Sequence, residues 1–182
     1  LSGPAARLTE PALAVELGAT ADGRRYDTRL RLTSAAVDLA GVGVIDLGRS
    51  RFGDLRLDLR LLRPEAALDN LAGRGVRARV TLDGAFATPR VNYLVEAAAL
   101  RFGTTGLEGL HAEGRFQVDR QRTVAPIHAT VARVTGVPEA VGGVLRNLRA
   151  DGEVVLTPET LTTDNLRFRS DRMNATLVFA AT

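Results

Sequence analysis

Histidines and carboxylates are the first residues to consider for chemistry, because they transfer protons and bind metals. The chain has two histidines, and both His111 and His128 fall on the polar faces of predicted strands. Neither has a third ligand at a spacing typical of a metal site, so we interpret both as exposed strand residues. Asp151 and Glu153 share a strand face, as a pair of glycosidase carboxylates would. Since 21 acidic residues are spread along the chain, a solvated pair is the simpler interpretation.

Motifs for other catalytic chemistry are missing from the sequence. Cysteine is absent, which excludes disulfides, thiolate nucleophiles and cysteine-based zinc sites. There is no Gly-x-Ser-x-Gly elbow, phosphate-binding loop or dinucleotide fingerprint, and both Gly41-x-Gly43 and Gly73-x-Gly75 are typical of turns. We therefore predict a protein that is not an enzyme and has no catalytic residue, no cofactor and no metal.

Arginine supplies all 24 basic side chains, and the formal net charge is only +3. Several arginines form local pairs on strand faces: Arg29 and Arg31, Arg77 and Arg79, and Arg167 and Arg169. Acidic residues interrupt the series, and aromatics make up only 4% of the chain, too few to stack on single-stranded nucleic acid. The sequence thus predicts no nucleic-acid partner. Guanidinium groups also suit phosphate, so these pairs could contact anionic lipid head groups.

The strongest structural signal is alternation of apolar and polar residues with a period of two. It is clearest from Leu55 to Leu61, where every second residue is Leu and the others are charged. Similar alternation recurs along the chain and indicates roughly ten to twelve strands, each with one dry face and one wet face. The predicted fold class is all-β, with a mostly antiparallel sheet that is solvated on one side.

Acidic residues followed by Gly recur in this pattern. Asp22-Gly23 is predicted to turn a hairpin, whereas Asp83-Gly84, Glu113-Gly114 and Asp151-Gly152 lie inside alternating stretches, where Gly marks a bulge or bend. The chain half-repeats itself around these positions. We therefore interpret residues 1–182 as a single β-rich segment of a longer chain, built from degenerate hairpin repeats.

Two stretches depart from the alternation and are predicted to form short amphipathic helices. The first lies near residues 64–72, with Pro64 at its start and Gly73 beyond its end. The second lies near residues 136–147, where Val137, Val141, Val144, Leu145 and Leu148 follow helical spacing. We expect the second helix to dock at the open end of the sheet.

Several passages resemble the repeat of TamB proteins and their AsmA-like relatives. The first runs from Val76 to Phe86 and continues through Thr88-Pro89 into an apolar strand. The second combines the amphipathic stretch from Val137 to Leu145 with the segments 147–153 and 161–166. The resemblance covers most of the chain from about Leu55 onward, and it lies in the composition and the order of the predicted elements.

The resemblance implies a function as well as a fold. TamB-like proteins are anchored in the inner membrane, cross the periplasm of Gram-negative bacteria and have a curled sheet with a hydrophobic interior. The fold that the resemblance implies is therefore all-β, with a curled, mostly antiparallel sheet that forms a β-taco or an open sandwich-like groove. The resemblance also implies a periplasmic conduit for phospholipid that supports outer-membrane biogenesis, with an inner-membrane anchor outside this segment and a TamA-like barrel partner. The alternative is a periplasmic scaffold that assists outer-membrane protein or autotransporter assembly by pairing its sheet edge with that barrel. A third interpretation is an extracellular sandwich with a closed core.

A conduit requires a lining, and the dry faces of the predicted strands supply the candidates. Small residues on these faces, such as Ala78 and Ala112, leave more room than a close-packed sandwich would. Each candidate could equally be an ordinary core residue, so the prediction concerns the set. The predicted lining that would contact phospholipid acyl chains consists of Leu57, Leu59, Val80, Leu82, Phe116, Val131, Val154, Phe168, Leu177 and Phe179.

Overall fold

Twelve β-strands make up most of the chain that the computed structural model describes, which is residues 4–9, 12–138 and 143–181. A short helix, α1 (Pro4–Thr9), precedes them, and a 3-10 turn (Pro64–Ala66) follows the fourth strand. The strands are β1 (Ala14–Asp22), β2 (Arg25–Thr33), β3 (Val37–Asp46), β4 (Arg51–Leu61), β5 (Leu71–Arg74), β6 (Val76–Ala85), β7 (Arg90–Phe102), β8 (Thr105–Gln117), β9 (Thr123–Thr135), β10 (Val144–Leu156), β11 (Leu161–Arg169) and β12 (Asn174–Ala181).

All twelve strands belong to one curled, open antiparallel sheet, so the predicted all-β fold class is confirmed. The strands pair in sequence order from β1 to β12, except that β5 and β6 follow each other end to end along the same side of β7 and both pair with it. Sequential antiparallel pairing needs only short connections, and most of the connections are tight turns. The Asp22-Gly23 hairpin is one of them, with Gly23 at φ +61°, as predicted. Strands β1 and β12 form the two edges of the sheet.

A row of backbone irregularities, which we call the crease, crosses five neighbouring stretches of strand. Positive φ angles occur at Gly75 (+66°), Gly109 (+63°) and Asn147 (+50°). Between them in register lie Ala98 on β7 and Ala132 on β9, and normal pairing resumes on both sides of the row. A Cβ at Gly75 or Gly109 would lie 3.1 Å from the Cβ of the neighbouring alanine. Because all these strands carry the irregularity at the same level, the sheet bends there without losing its register.

The first predicted helix, near residues 64–72, is wrong beyond its first turn. Only Pro64–Ala66 is helical, with the Ala67 N–H donating to the Pro64 carbonyl. From Leu71 the chain is strand β5, paired with the end of β7. Pairing with β7 satisfies backbone N–H and C=O groups of these four residues without a helix.

The second predicted helix, near residues 136–147, is wrong from Val144 onward. Val144 begins β10, which pairs with β9 through Leu145 opposite Val134. Residues 139–142 of this prediction lie outside the described residues. The crease explains the error, because an added residue in each strand separates inward-facing residues by three positions. Leu145 and Leu148 therefore imitate helical spacing while both contact the core.

The best-buried apolar contacts lie at one end of the sheet, which we call the capped end. There Val131, Val134 and Leu145 are buried, with Val137 and Met173 from the connecting segments packed against them. The 3-10 turn and the start of β3 lie at the same end, where Pro64, Ala36 and Ala66 are buried. The Ser34 hydroxyl also donates to the Leu8 carbonyl of α1, at 2.5 Å. The capped end therefore holds most of the chain's close packing.

Two glycines at the capped end allow the effect of backbone strain on stability to be compared with the added effect of steric collision. Gly103 (φ +57°) has no atom within 4 Å of a Cβ built on it, whereas a Cβ at Gly136 (φ +73°) would lie 2.0 Å from the Thr104 carbonyl oxygen. We expect Gly103→Ala to lower the free energy of unfolding by about 1 kcal/mol. Gly136→Ala should lower it by about 3 kcal/mol, because overpacking adds to the strain. Urea denaturation of both variants measures the difference, and equal effects would contradict the collision.

Candidate functional site

An uninterrupted row of paired apolar residues crosses the sheet from one edge to the other. Every strand except β5 contributes one residue, and each lies directly opposite the next, so all eleven side chains share one face, which we call the inner face. The row consists of Val15, Leu32, Leu39, Leu59, Ala78, Val95, Ala112, Ala129, Ala150, Phe168 and Ala175. At about 4.8 Å between strands, the row is about 50 Å long. Its residues are mainly large on β1 to β4 and mainly small from β6 onward.

The inner face is only half-covered. In β4 the apolar residues from Leu55 to Leu61 are intermediate in exposure, and the charged residues between them are exposed. No second sheet lies over these residues in the described chain. The apolar residues are therefore less exposed than the charged ones because the sheet curls toward its apolar side. The accessible surface is 11578 Å², against about 8500 Å² for a compact monomer of this mass. The inner face therefore forms an open groove.

The ten predicted lining residues all lie on the inner face, on seven of the strands. Leu57 and Val80 are directly opposite each other, Phe168 lies opposite Ala175, and Phe179 lies opposite Thr163. Eight of the ten are half-buried. Of the other two, Val131 is buried in the capped end at 6% exposure, and Leu177 is 42% exposed on the edge strand β12. The set thus runs along the groove and forms no enclosed pocket.

Strand β7 supplies groove residues that the sequence analysis left out. Val91, Tyr93, Val95 and Ala97 all face inward, opposite inward residues of β8. Their alternation is visible in the sequence and was the signal that could have identified them. Val91 and Ala97 are among the best-buried residues of the chain, with 7% and 2% exposure. The floor of the groove is therefore most complete at β7.

Tyr93 provides a hydroxyl in the groove. Its ring lies over Gly114, where a Cβ would come within 2.5 Å of the ring, and its hydroxyl donates to the Pro126 carbonyl at 2.9 Å. Burial raises the pKa of Tyr93, so the hydroxyl remains a donor at neutral pH. Residue pairing between β8 and β9 stops at Glu113 and His128. Pro126 lies just beyond that point and has no N–H to leave unpaired. The Tyr93 hydroxyl donates to the Pro126 carbonyl where no residue of β8 pairs with Pro126.

The outer face of the sheet is charged. His128 Nδ1 lies 3.1 Å from Asp151 Oδ1, and both side chains are about 60% exposed. The Arg90 guanidinium, hydrogen-bonded to Asp83, lowers the pKa of that carboxyl. Among the described residues, no three histidines or carboxylates are grouped closely enough to hold a metal ion. These contacts join side chains of neighbouring strands on the solvent-facing side of the sheet.

Comparison with known proteins identifies no relative. No family model, curated protein or solved structure matches the chain. The resemblance to TamB-like proteins therefore remains an expectation based on the passages quoted above. Within the described residues, no helix is long and apolar enough to cross a membrane. The groove geometry is the observation on which a functional proposal can be built.

The two tyrosines allow a matched test of the Tyr93–Pro126 bond. We expect Tyr93→Phe to lower the free energy of unfolding by about 1 kcal/mol, because it leaves a partly buried carbonyl without its donor. Tyr26→Phe is the control, since among the described residues the Tyr26 hydroxyl has no hydrogen-bond partner. Urea denaturation measures both variants, and a Tyr93→Phe protein as stable as the control would contradict the assigned role.

Proposed function

We propose that the chain is a non-enzymatic conduit whose inner face carries phospholipid acyl chains between the inner and outer membranes in support of outer-membrane biogenesis. The observation that supports this most directly is the uninterrupted apolar row across eleven strands, left open to solvent along its length. A catalytic protein concentrates polar groups in a pocket. This groove instead repeats the same apolar chemistry from edge to edge.

The composition of the groove suits a mobile, flexible ligand. Beside the larger side chains of β1 to β4, the floor is lined by small residues that leave room for an acyl chain: Ala78, Ala112, Ala129 and Ala150. An acyl chain gains stabilisation from each methylene that it removes from water, about 0.8 kcal/mol when fully buried. Because the floor from β6 to β10 is mostly alanine, no position in that stretch binds much more tightly than its neighbours. A chain could therefore move along the groove without meeting a deep trap.

The proposal places the chain in the periplasm as part of an inner-membrane-anchored protein, with the anchor outside this segment. The absence of cysteine fits an oxidising compartment. The resemblance to TamB-like proteins supplies the rest of this placement, including an outer-membrane barrel partner of the TamA type.

A polar group on the groove floor should reduce lipid binding. We expect Val80→Asn to lower the affinity for a fluorescently labelled phospholipid about tenfold, because the amide has no partner against an acyl chain. Native mass spectrometry of protein purified from the periplasm should also show less co-purified phospholipid. The matched control is Val42→Asn on the outer face, where Val42 is 52% exposed.

Two results would contradict the conduit. One is a folded parent protein that takes up neither cellular phospholipid nor the labelled probe. The other is equal binding by the Val80→Asn and Val42→Asn variants, which would place the lipid elsewhere. Urea denaturation of both variants checks that each remains folded under the conditions of the binding assay.

A second candidate function is a scaffold that pairs its edge with strands of a barrel partner, and β12 favours it. This edge strand, Asn174–Ala181, has no charged residue and no proline, the two features that commonly protect edges from pairing. Its apolar side chains are exposed on both faces, with Leu177 at 42% and Val178 at 67%. The other edge, β1, carries Glu16 and Asp22. The two edges are therefore not equivalent.

Charges on the outer side of β12 should separate the scaffold from the conduit. We expect Thr176→Lys combined with Val178→Lys to abolish site-specific crosslinking between Ala180 and the edge strand of a purified TamA-like barrel. Lipid loading should be unchanged, because neither residue faces the groove. A crosslinker at Val42, on the interior strand β3, is the control. Crosslinking that survives both lysines would count against strand pairing by this edge.

A further inference from the structure

Five arginines form a basic patch on the outer face of three adjacent strands. We call Arg133 on β9, Arg146 and Arg149 on β10, and Arg167 and Arg169 on β11 the arginine patch. All five are exposed. Their chain neighbours Val134, Leu145, Ala150 and Leu166 are buried, so the five side chains project away from the groove. The patch extends from the capped end toward the middle of the sheet.

Four of these arginines face each other directly across strands. Arg133 is paired with Arg146, and Arg149 is paired with Arg169. Residues in direct register have Cα atoms about 5 Å apart, and like charges in such positions destabilise a sheet. Two such pairs within three strands concentrate positive charge on this part of the outer face.

None of the five guanidinium groups forms an ion pair within the described part of the chain. Two nearby carboxylates are engaged elsewhere: Asp151 with His128 at 3.1 Å, and Asp171 with the Arg146 backbone N–H at 2.9 Å and the Arg172 side chain at 3.8 Å. Glu108 lies opposite Arg133 and Asp151 lies opposite Arg167 in register, but neither carboxylate forms an ion pair with that arginine. The patch therefore keeps an excess of positive charge.

Arginines on the other half of the outer face are arranged differently. Arg79 contacts Asp58 at 2.7 Å, and Arg51 contacts Asp83 at 3.5 Å. Arg60 and Arg77 also face each other, but Asp38 and Glu96 follow directly on either side of them in the same row. These arginines are thus paired with acids or flanked by them, whereas Thr130 and Asn174 flank the pair of Arg149 and Arg169 in its row.

We propose that the arginine patch docks the chain on a bilayer surface that contains anionic phospholipid. Guanidinium groups bind phosphate oxygens through paired N–H donors, and basic side chains near an anionic bilayer each add to affinity. A protein partner would call for an apolar centre with aromatic anchors, whereas the outer-face neighbours in the same rows are polar residues such as Thr130 and Asn174. Single-stranded nucleic acid would call for stacking aromatics, which the patch lacks. This inference concerns the outer face and does not depend on the groove's cargo.

Vesicle flotation of the full 182-residue chain tests the proposal. The chain should bind vesicles of mixed phosphatidylcholine and phosphatidylglycerol at low salt and lose this binding at high salt. Replacing Arg133, Arg149 and Arg169 together with Gln should weaken binding about 100-fold, since each arginine contributes roughly fivefold. The matched control replaces Arg51, Arg79 and Arg90 with Gln. It removes the same charge from arginines that are already paired and should weaken binding much less.

Several results would overturn the docking surface. Equal losses by the two triple variants would show that only net charge matters. Equal binding to pure phosphatidylcholine would assign the interaction to apolar contacts, and equally tight binding of polyglutamate would assign the patch to an acidic protein. Displacement by inorganic phosphate, but not by chloride at equal ionic strength, would indicate a site for the free ion. If the patch triple variant does not fold, Arg149→Gln alone should still weaken binding about fivefold.

A separate readout distinguishes this inference from the conduit proposal. The patch triple variant should still take up the labelled phospholipid into the groove, because none of its three residues faces inward. The Val80→Asn variant should still float with anionic vesicles. Loss of both activities in either variant would show that one surface performs both functions, which contradicts independent docking.

Discussion

One constraint shapes the whole molecule: a single-layered sheet must shield an apolar face that no second layer covers. The sheet meets it by curling toward that face, which turns the inner face into a groove. Small residues such as Ala112 and Ala129 let neighbouring strands bend inward without collision. The crease, together with register shifts in β4 and β11, supplies the bending, since bulges increase local curvature and twist. The open groove and the excess accessible surface both follow from this arrangement.

Much of this fold could be predicted from the sequence, because a strand's inner and outer faces require only a period of two. Leu57 and Val80 could be assigned to the same face without any knowledge of their pairing. The turn at Asp22-Gly23 could be predicted because positive φ favours glycine there. The crease could not, because it arises when several strands carry an extra residue at the same level. Within β10 alone, the three-residue separation of Leu145 and Leu148 indicates a helix.

Other features depend on contacts between distant residues and leave no local trace. Alternation predicts a dry face but not the number of layers, so the same pattern fits a closed sandwich. The accessible surface distinguishes these cases only once all twelve strands are placed. The bond from Tyr93 to Pro126 likewise requires β8 to separate from β9, which neither strand's sequence records. The like-charged pair Arg149 and Arg169 is visible only when the register is known.

If the groove carries phospholipid, its open geometry favours lipids with two acyl chains. A chain lying on a half-covered face keeps about half of its methylenes in water, which for sixteen carbons costs about 6 kcal/mol relative to a bilayer. A single-chain lipid would bear this cost in full. The second chain of a phospholipid can lie over the first and shield it, so that only the outer side of the second chain stays in water and the cost per acyl chain is about halved. An open groove with half-buried residues such as Leu59 and Val80 therefore suits a paired acyl chain better than a free fatty acid, for which a closed pocket would be needed.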